Sequence, residues 1–214
     1  MRWLVRFVNS SIGKKMLMAV TGILMSGWLV AHLTGNLLIF LGADAFNGYA
    51  EWLSHQPWLW PARLGLLAIF LIHVVYAIRL TMENNAARRA GYEYKDPSGA
   101  SYAARTMILT GVLVIFYVGI HLLDFTFADK SGPMGLYGLV VEKLGNPLHA
   151  LMYLGFLAVL GFHLSHGLQS VFQSMGLNHT VYTPLIKKLT LLGAVGLWLG
   201  FSAIPVYLMI KGGL

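Results

Sequence analysis

The sequence predicts an all-α membrane protein: a bundle of five transmembrane helices, with the N-terminus cytoplasmic and the C-terminus on the outer side. Three observations carry this prediction. Of 214 residues, 57% are hydrophobic and only 11% charged, where a soluble domain carries about 25% charged residues. Five stretches are apolar over the roughly 20 residues needed to cross a bilayer. The fifteen lysines and arginines also divide unevenly between the two sides.

The spans are expected at about 16–41, 62–82, 105–128, 147–173 and 185–210, forming one domain over 1–214. The first is too long for the apolar region of a signal peptide and lacks a convincing cleavage site, so it reads as a retained span. The outer loop 43–61 holds three of the six tryptophans, which suits the membrane–water interface. Residues 83–104 form a polar, charged connection long enough to dock a soluble partner. Pro184 opens the fifth span and Pro205 is expected to kink its outer end.

Arg2, Arg6, Lys14 and Lys15 precede the first span. Arg79, Arg88, Arg89, Lys95 and Arg105 lie at or between the second and third, and Lys187 and Lys188 open the fifth. Only Arg63, Lys130, Lys143 and Lys211 fall on the other side, which sets the orientation by the positive-inside rule. The net charge of +7 therefore reads as a basic cytoplasmic face, with no nucleic-acid partner. The protein is expected to be multi-pass in a bacterial-type cytoplasmic membrane.

There is no cysteine, which excludes disulfides, covalent haem attachment through C-x-x-C-H, and cysteine-ligated clusters. Any redox metal must rely on histidine, methionine or carboxylate. Eight histidines occur. His55 and His179 fall in loops and His149 at the outer mouth of the fourth span. His32, His73, His121 and His163 lie inside the first four spans, one in each, with His166 close behind the last. At about 1.5 Å rise per residue, His32 and His121 are each about 24 Å from the inner end, and His73 and His163 about 14–15 Å. They sort into two layers roughly 10 Å apart.

Two neutral imidazoles from facing helices fill both axial positions of a haem iron, leaving a centre that carries one electron. Two such centres stacked across a bilayer make an electron path. Intramembrane ionisable residues are costly enough to imply function, although a lone histidine also serves as a hydrogen-bonding partner between helices. Metal bound without a porphyrin would require carboxylates nearby, and the deeper parts of these spans contain none. Gly65 and Gly155 each precede a histidine by eight residues, either making room for a macrocycle or allowing close helix packing.

The motifs S-S-I-G-K-K at 10–15, H-L-T-G-N-L at 32–37, G-F-H-L-S-H-G at 161–167 and G-L-N-H at 176–179 resemble the cytochrome b membrane anchor of succinate dehydrogenase or fumarate reductase. The resemblance is to the single-subunit, five-helix, two-haem kind and covers essentially the whole chain. It implies a flavoprotein subunit, where succinate and fumarate are interconverted, and an iron–sulfur subunit, both docked on the cytoplasmic face. It further implies a quinone substrate, typically menaquinone, and a complex able to form higher oligomers.

In the family the first intramembrane histidine pairs with the third and the second with the fourth. His32 and His121 would then hold the outer of two haem b groups, and His73 and His163 the inner. Ser10, Ser11, Lys15, Arg79 and Arg105 lie near the inner face as candidate haem-propionate partners, and His166 as a hydrogen-bonding neighbour of the inner site. The family places its quinone near the outer haem, with an acidic residue near the outer ends of the first two helices. Glu51, beside Tyr49, Trp52 and His55, fits that place and could exchange protons with the quinone. Two other readings stay open: a di-haem cytochrome b serving a hydrogenase or formate dehydrogenase, and a haem-free transporter. The latter is disfavoured by the lack of buried carboxylates and of an inverted repeat.

Overall fold

The computed structural model describes residues 2–87 and 105–211. The central part of the predicted polar connection, including Arg88, Arg89 and Lys95, lies outside the described residues. Eight α-helices are described: α1 Arg2–Asn9, α2 Ser11–Asn36, α3 Ala43–Ser54, α4 Leu59–Ala87, α5 Met107–His121, α6 Gly135–Gly145, α7 Pro147–Ser174 and α8 Thr183–Lys211. Five segments are long and apolar enough to cross a membrane: Ser11–Leu41, Leu59–Ala87, Met107–Thr126, Pro147–Ser174 and Thr183–Lys211.

Each span is the predicted one with its ends adjusted by local chemistry. Ser10 caps α2 five residues earlier than expected, its hydroxyl accepting from Gly13 N at 3.0 Å and donating to Phe7 O at 2.6 Å. The first span finishes in a 3₁₀ turn, Leu37–Leu41, before Gly42 turns the chain at φ 99°. The third span finishes in a π-helical turn, Leu122–Thr126, closed by Phe127 N to Leu122 O at 2.9 Å. Asn146 caps α7 by accepting from Leu148 N and His149 N. The apolar character of the fifth span carries α8 through Pro205, which is fully buried.

Three helices outside the spans were not anticipated. α1 is a short basic helix leading into α2, and residues 43–54 and 135–145 form α3 and α6. α3 and α6 pack together at one end of the bundle, hereafter the aromatic end. Asn47 joins them, its side-chain amide donating to Met134 O and its carbonyl accepting from Tyr137 N, both at 2.9 Å. The opposite end carries Lys14, Lys15, Arg79, Arg105, Lys187 and Lys188 and is called the basic end.

α7 is the central helix, packing along α8 and against α2 and α5, while α4 packs on α2. The main core cluster lies at the aromatic end, where Ile39, Phe46, Val140, Val141, Leu144, Tyr153, Ile204 and Leu208 pack together. Elsewhere large apolar side chains such as Leu67, Leu71, Phe116 and Leu192 face outward, as hydrocarbon-facing surfaces do.

Candidate functional site

The four span histidines occupy two levels, and each level is built differently. At the level nearer the aromatic end, α2 and α5 bring His32 and His121 together edge to face, with ring centres 5.9 Å apart and planes at 89°. Trp28 stacks on His32 at 4.6 Å and 12°, and Phe201 of α8 lies 5.9 Å from it. Tyr117, Phe125 and Tyr153 surround His121.

At the other level, each imidazole is held by a threonine of the neighbouring helix. Thr21 Oγ1 of α2 lies 3.1 Å from His73 Nδ1 of α4, and Thr110 Oγ1 of α5 lies 3.1 Å from His163 Nδ1 of α7. Both hydroxyls already give their single proton to helix carbonyls, Leu17 O at 2.7 Å and Met107 O at 3.0 Å. With its proton on the carbonyl, each hydroxyl accepts from Nδ1–H. This arrangement suits the tautomer in which Nε2 carries the lone pair, the form a metal-ligating imidazole takes. Gly22 and Gly111, each following its threonine, lie against the Cε1 atoms of these rings; a Cβ there would sit 3.5 and 3.6 Å away.

This arrangement exposes an internal repeat that the sequence reading passed over. Thr21-Gly22 precedes His32 by the same eleven residues that separate Thr110-Gly111 from His121. G-L-L-A-I-F-L-I-H at 65–73 likewise parallels G-F-L-A-V-L-G-F-H at 155–163. α2 with α4 and α5 with α7 thus form two copies of one helical pair. Eleven residues span about 16 Å of helix, wider than the roughly 10 Å counted from the predicted span ends.

The His32–His121 pair suits two imidazoles binding one haem iron. With ring centres 5.9 Å apart, His32 and His121 stand close enough for both imidazoles to reach one metal ion. Buried His121 Nδ1 has no hydrogen-bond partner among the described residues. Nor does any group of three or more histidines and carboxylates among them form an ion site of its own. An added Cβ at Gly65 or Gly155 would meet nothing within 4 Å, so these glycines do not serve close helix packing.

The remaining candidates are placed less centrally. Ser10 is committed to the α2 cap. Ser11, Lys15, Arg79 and Arg105 are exposed at the basic end, and His166 is half-buried on α7. The buried cation there is Lys14, which pairs with Glu83 of α4. Glu51 is exposed on α3, its carbonyl accepting from Ser54 and His55.

Asp124 was missed. The expectation that the spans hold no buried carboxylate fails here: the π-helical turn after His121 carries Asp124 inward, leaving its side chain 12% exposed. Oδ2 accepts from Tyr153 Oη at 2.8 Å and pairs with His149 Nε2 at 2.9 Å, while Oδ1 lies 3.3 Å from Lys143 Nζ. The four-residue spacing of His149 and Tyr153 on one helix face was the available signal.

Residues 85–201, more than half of the chain, match the family model for the succinate dehydrogenase/fumarate reductase transmembrane subunit. The chain is also similar to the succinate dehydrogenase cytochrome b558 subunit of Bacillus subtilis, at 27% identity over 183 residues. The match covers 83% of this chain and 87% of that protein. No solved structure matches.

Proposed function

This chain belongs to the succinate dehydrogenase/fumarate reductase transmembrane-subunit family, and from that premise we propose that it is the membrane anchor and electron-transfer subunit of a succinate:quinone oxidoreductase. The complex works as a succinate dehydrogenase or a quinol:fumarate reductase. The dicarboxylate chemistry resides in a flavoprotein subunit, which docks with an iron–sulfur subunit on the basic, cytoplasmic end. The chain links that iron–sulfur subunit to membrane quinone, menaquinone above all, from a bacterial-type cytoplasmic membrane.

The observation that carries the reading is the pair of imidazole levels. His32 and His121 would hold the outer haem b, and His73 and His163 the inner. Each haem, when bound, supplies a one-electron couple whose potential depends on axial ligands, hydrogen bonds and burial. The chain's own residues set those conditions. Thr21 and Thr110 contact the inner imidazoles at Nδ1, which would leave Nε2 for ligation, and Trp28 and Phe201 pack against the His32 ring. Ser11, Lys15, Arg79 and Arg105 supply hydroxyl and cationic partners for propionates at the basic end. His166 lies nearly one turn from His163 and acts as a hydrogen-bonding neighbour rather than a ligand. Glu51, exposed at the aromatic end, exchanges protons with the quinone.

Purification of the tagged chain from native membranes tests the assignment. A flavoprotein and an iron–sulfur protein should co-purify, and succinate should reduce the preparation. Recovery with hydrogenase or formate dehydrogenase subunits instead would contradict it.

A further inference from the structure

α1, Arg2–Asn9, is eight residues long and none of them is buried. An isolated helix shorter than about 12 residues is marginal in water, so this one needs a surface on which to bury its apolar side. Helical periodicity shows which side that is. Arg2, Arg6 and Asn9 share an arc of about 60°, and Trp3, Leu4, Phe7 and Val8 share the opposite arc of about 140°. Trp3 is 72% exposed, and Leu4 and Phe7 are exposed with it. The helix holds no acidic residue, and among the described residues neither arginine has a carboxylate partner.

An elbow holds α1 where the first span begins. Ser10 is extended, at φ −72° and ψ 154°, so the helical axis breaks there. Its N–H and its hydroxyl both donate to Phe7 O, at 2.9 and 2.6 Å, and the hydroxyl accepts from Gly13 N at 3.0 Å. Gly13 is buried against the last turn of α1, where an added Cβ would collide with the Phe7 carbonyl oxygen. These ties leave α1 one residue away from a membrane-crossing helix whose first turn already exposes Ile12.

We propose that α1 lies in the bilayer surface at the basic end, with Trp3, Leu4, Phe7 and Val8 among the lipid chains and Arg2 and Arg6 bound to the phosphates of anionic phospholipids. The proposal needs only that the spans cross a membrane, and it is independent of the electron-transfer reading. A helix with arginine on one face and Trp, Phe and Leu on the other binds lipid in this way. The indole suits the membrane–water boundary, and a guanidinium pairs with phosphate through two parallel hydrogen bonds. Because the elbow sets α1 at the level where the span meets the headgroups, lipid is the surface that its apolar arc faces. The contact ties the basic end of α2 to the headgroup layer and gathers anionic lipid around it.

The test is amide hydrogen exchange of residues 2–9 in the purified intact complex, held in nanodiscs of phosphatidylcholine alone or mixed with phosphatidylglycerol. An arginine near an anionic surface favours the bound state by about fivefold. Phosphatidylglycerol should therefore slow exchange by about tenfold or more, and added salt should reverse the effect. Arg2→Gln combined with Arg6→Gln should abolish the difference between the two lipids, at exposed positions that the fold does not depend on. Trp3→Gln should speed exchange in both. Equal exchange of the unsubstituted complex in the two lipids would overturn the proposal. So would capture of a soluble subunit, instead of phospholipid, by a benzoylphenylalanine photoprobe placed at position 3.

Discussion

Thr21 Oγ1 lies 3.1 Å from His73 Nδ1 while giving its own proton to Leu17 O. The contact recurs between Thr110 and His163 at the same distance, so the two helices that carry His32 and His121 also contact His73 and His163. One repeated element builds both levels.

The threonine contact predicts a selective lesion. Thr21→Val and Thr110→Val remove the acceptor that holds each ring, and loss of such supporting contacts costs about 10–100-fold in metal affinity or activity. Each variant should weaken retention of the inner haem and move its midpoint potential while leaving the outer one unchanged. Thr→Ser at either position should restore both. Redox titration followed in the haem absorption bands checks this; equal disturbance of both centres counts against the two-level arrangement.

His163→Leu should remove the inner haem and spare the outer. His166→Leu, one turn away, should keep both with a small spectral shift. Pyridine haemochrome quantification distinguishes the two outcomes, and loss of a whole haem in the His166 variant would reverse the assignment within G-F-H-L-S-H-G.

How much of this was legible in the sequence varies with the physics behind each part. The five spans and the His32/His121 level follow from hydropathy and helical rise, which act locally. α3 and α6 were not legible because short interfacial helices lack a twenty-residue apolar signal, and they are fixed by tertiary ties such as Asn47. The Thr-Gly pairs were visible as a repeated eleven-residue spacing, but a threonine in a membrane helix ordinarily bonds only its own carbonyls. Asp124 escaped because it stands near the end of an apolar run. Its inward placement depends on a π-helical turn that periodicity does not announce.

Lys14 and Glu83 join α2 to α4 at the basic end, with side chains 9% and 47% exposed. The asymmetry predicts unequal costs. Glu83→Ala strands a buried ammonium, for which the penalty, discounted for the half-exposed partner, is about 2–3 kcal/mol. Lys14→Met leaves a carboxylate that reaches water and should cost about 1 kcal/mol or less. Thermal unfolding in detergent should rank them in that order.

Gly35, in H-L-T-G-N-L, is needed for a close approach: an added Cβ would stand 2.6 Å from Tyr49 Cε1. Gly35→Ala should displace the Tyr49 ring and destabilise the α2–α3 contact by about 1–3 kcal/mol. Gly27→Ala, where a Cβ meets nothing within 4 Å, should be neutral or slightly stabilising. Equal melting temperatures for the two variants would contradict this packing.

The most direct measurement of the central claim is a dithionite-reduced-minus-oxidised spectrum of the purified complex, with haem quantified per copy of this chain. Two b-type haems per chain, both low-spin and unreactive towards carbon monoxide, is the expected result. No haem, or one haem with the spectrum unaffected by substitution of His73 or His163, would contradict it.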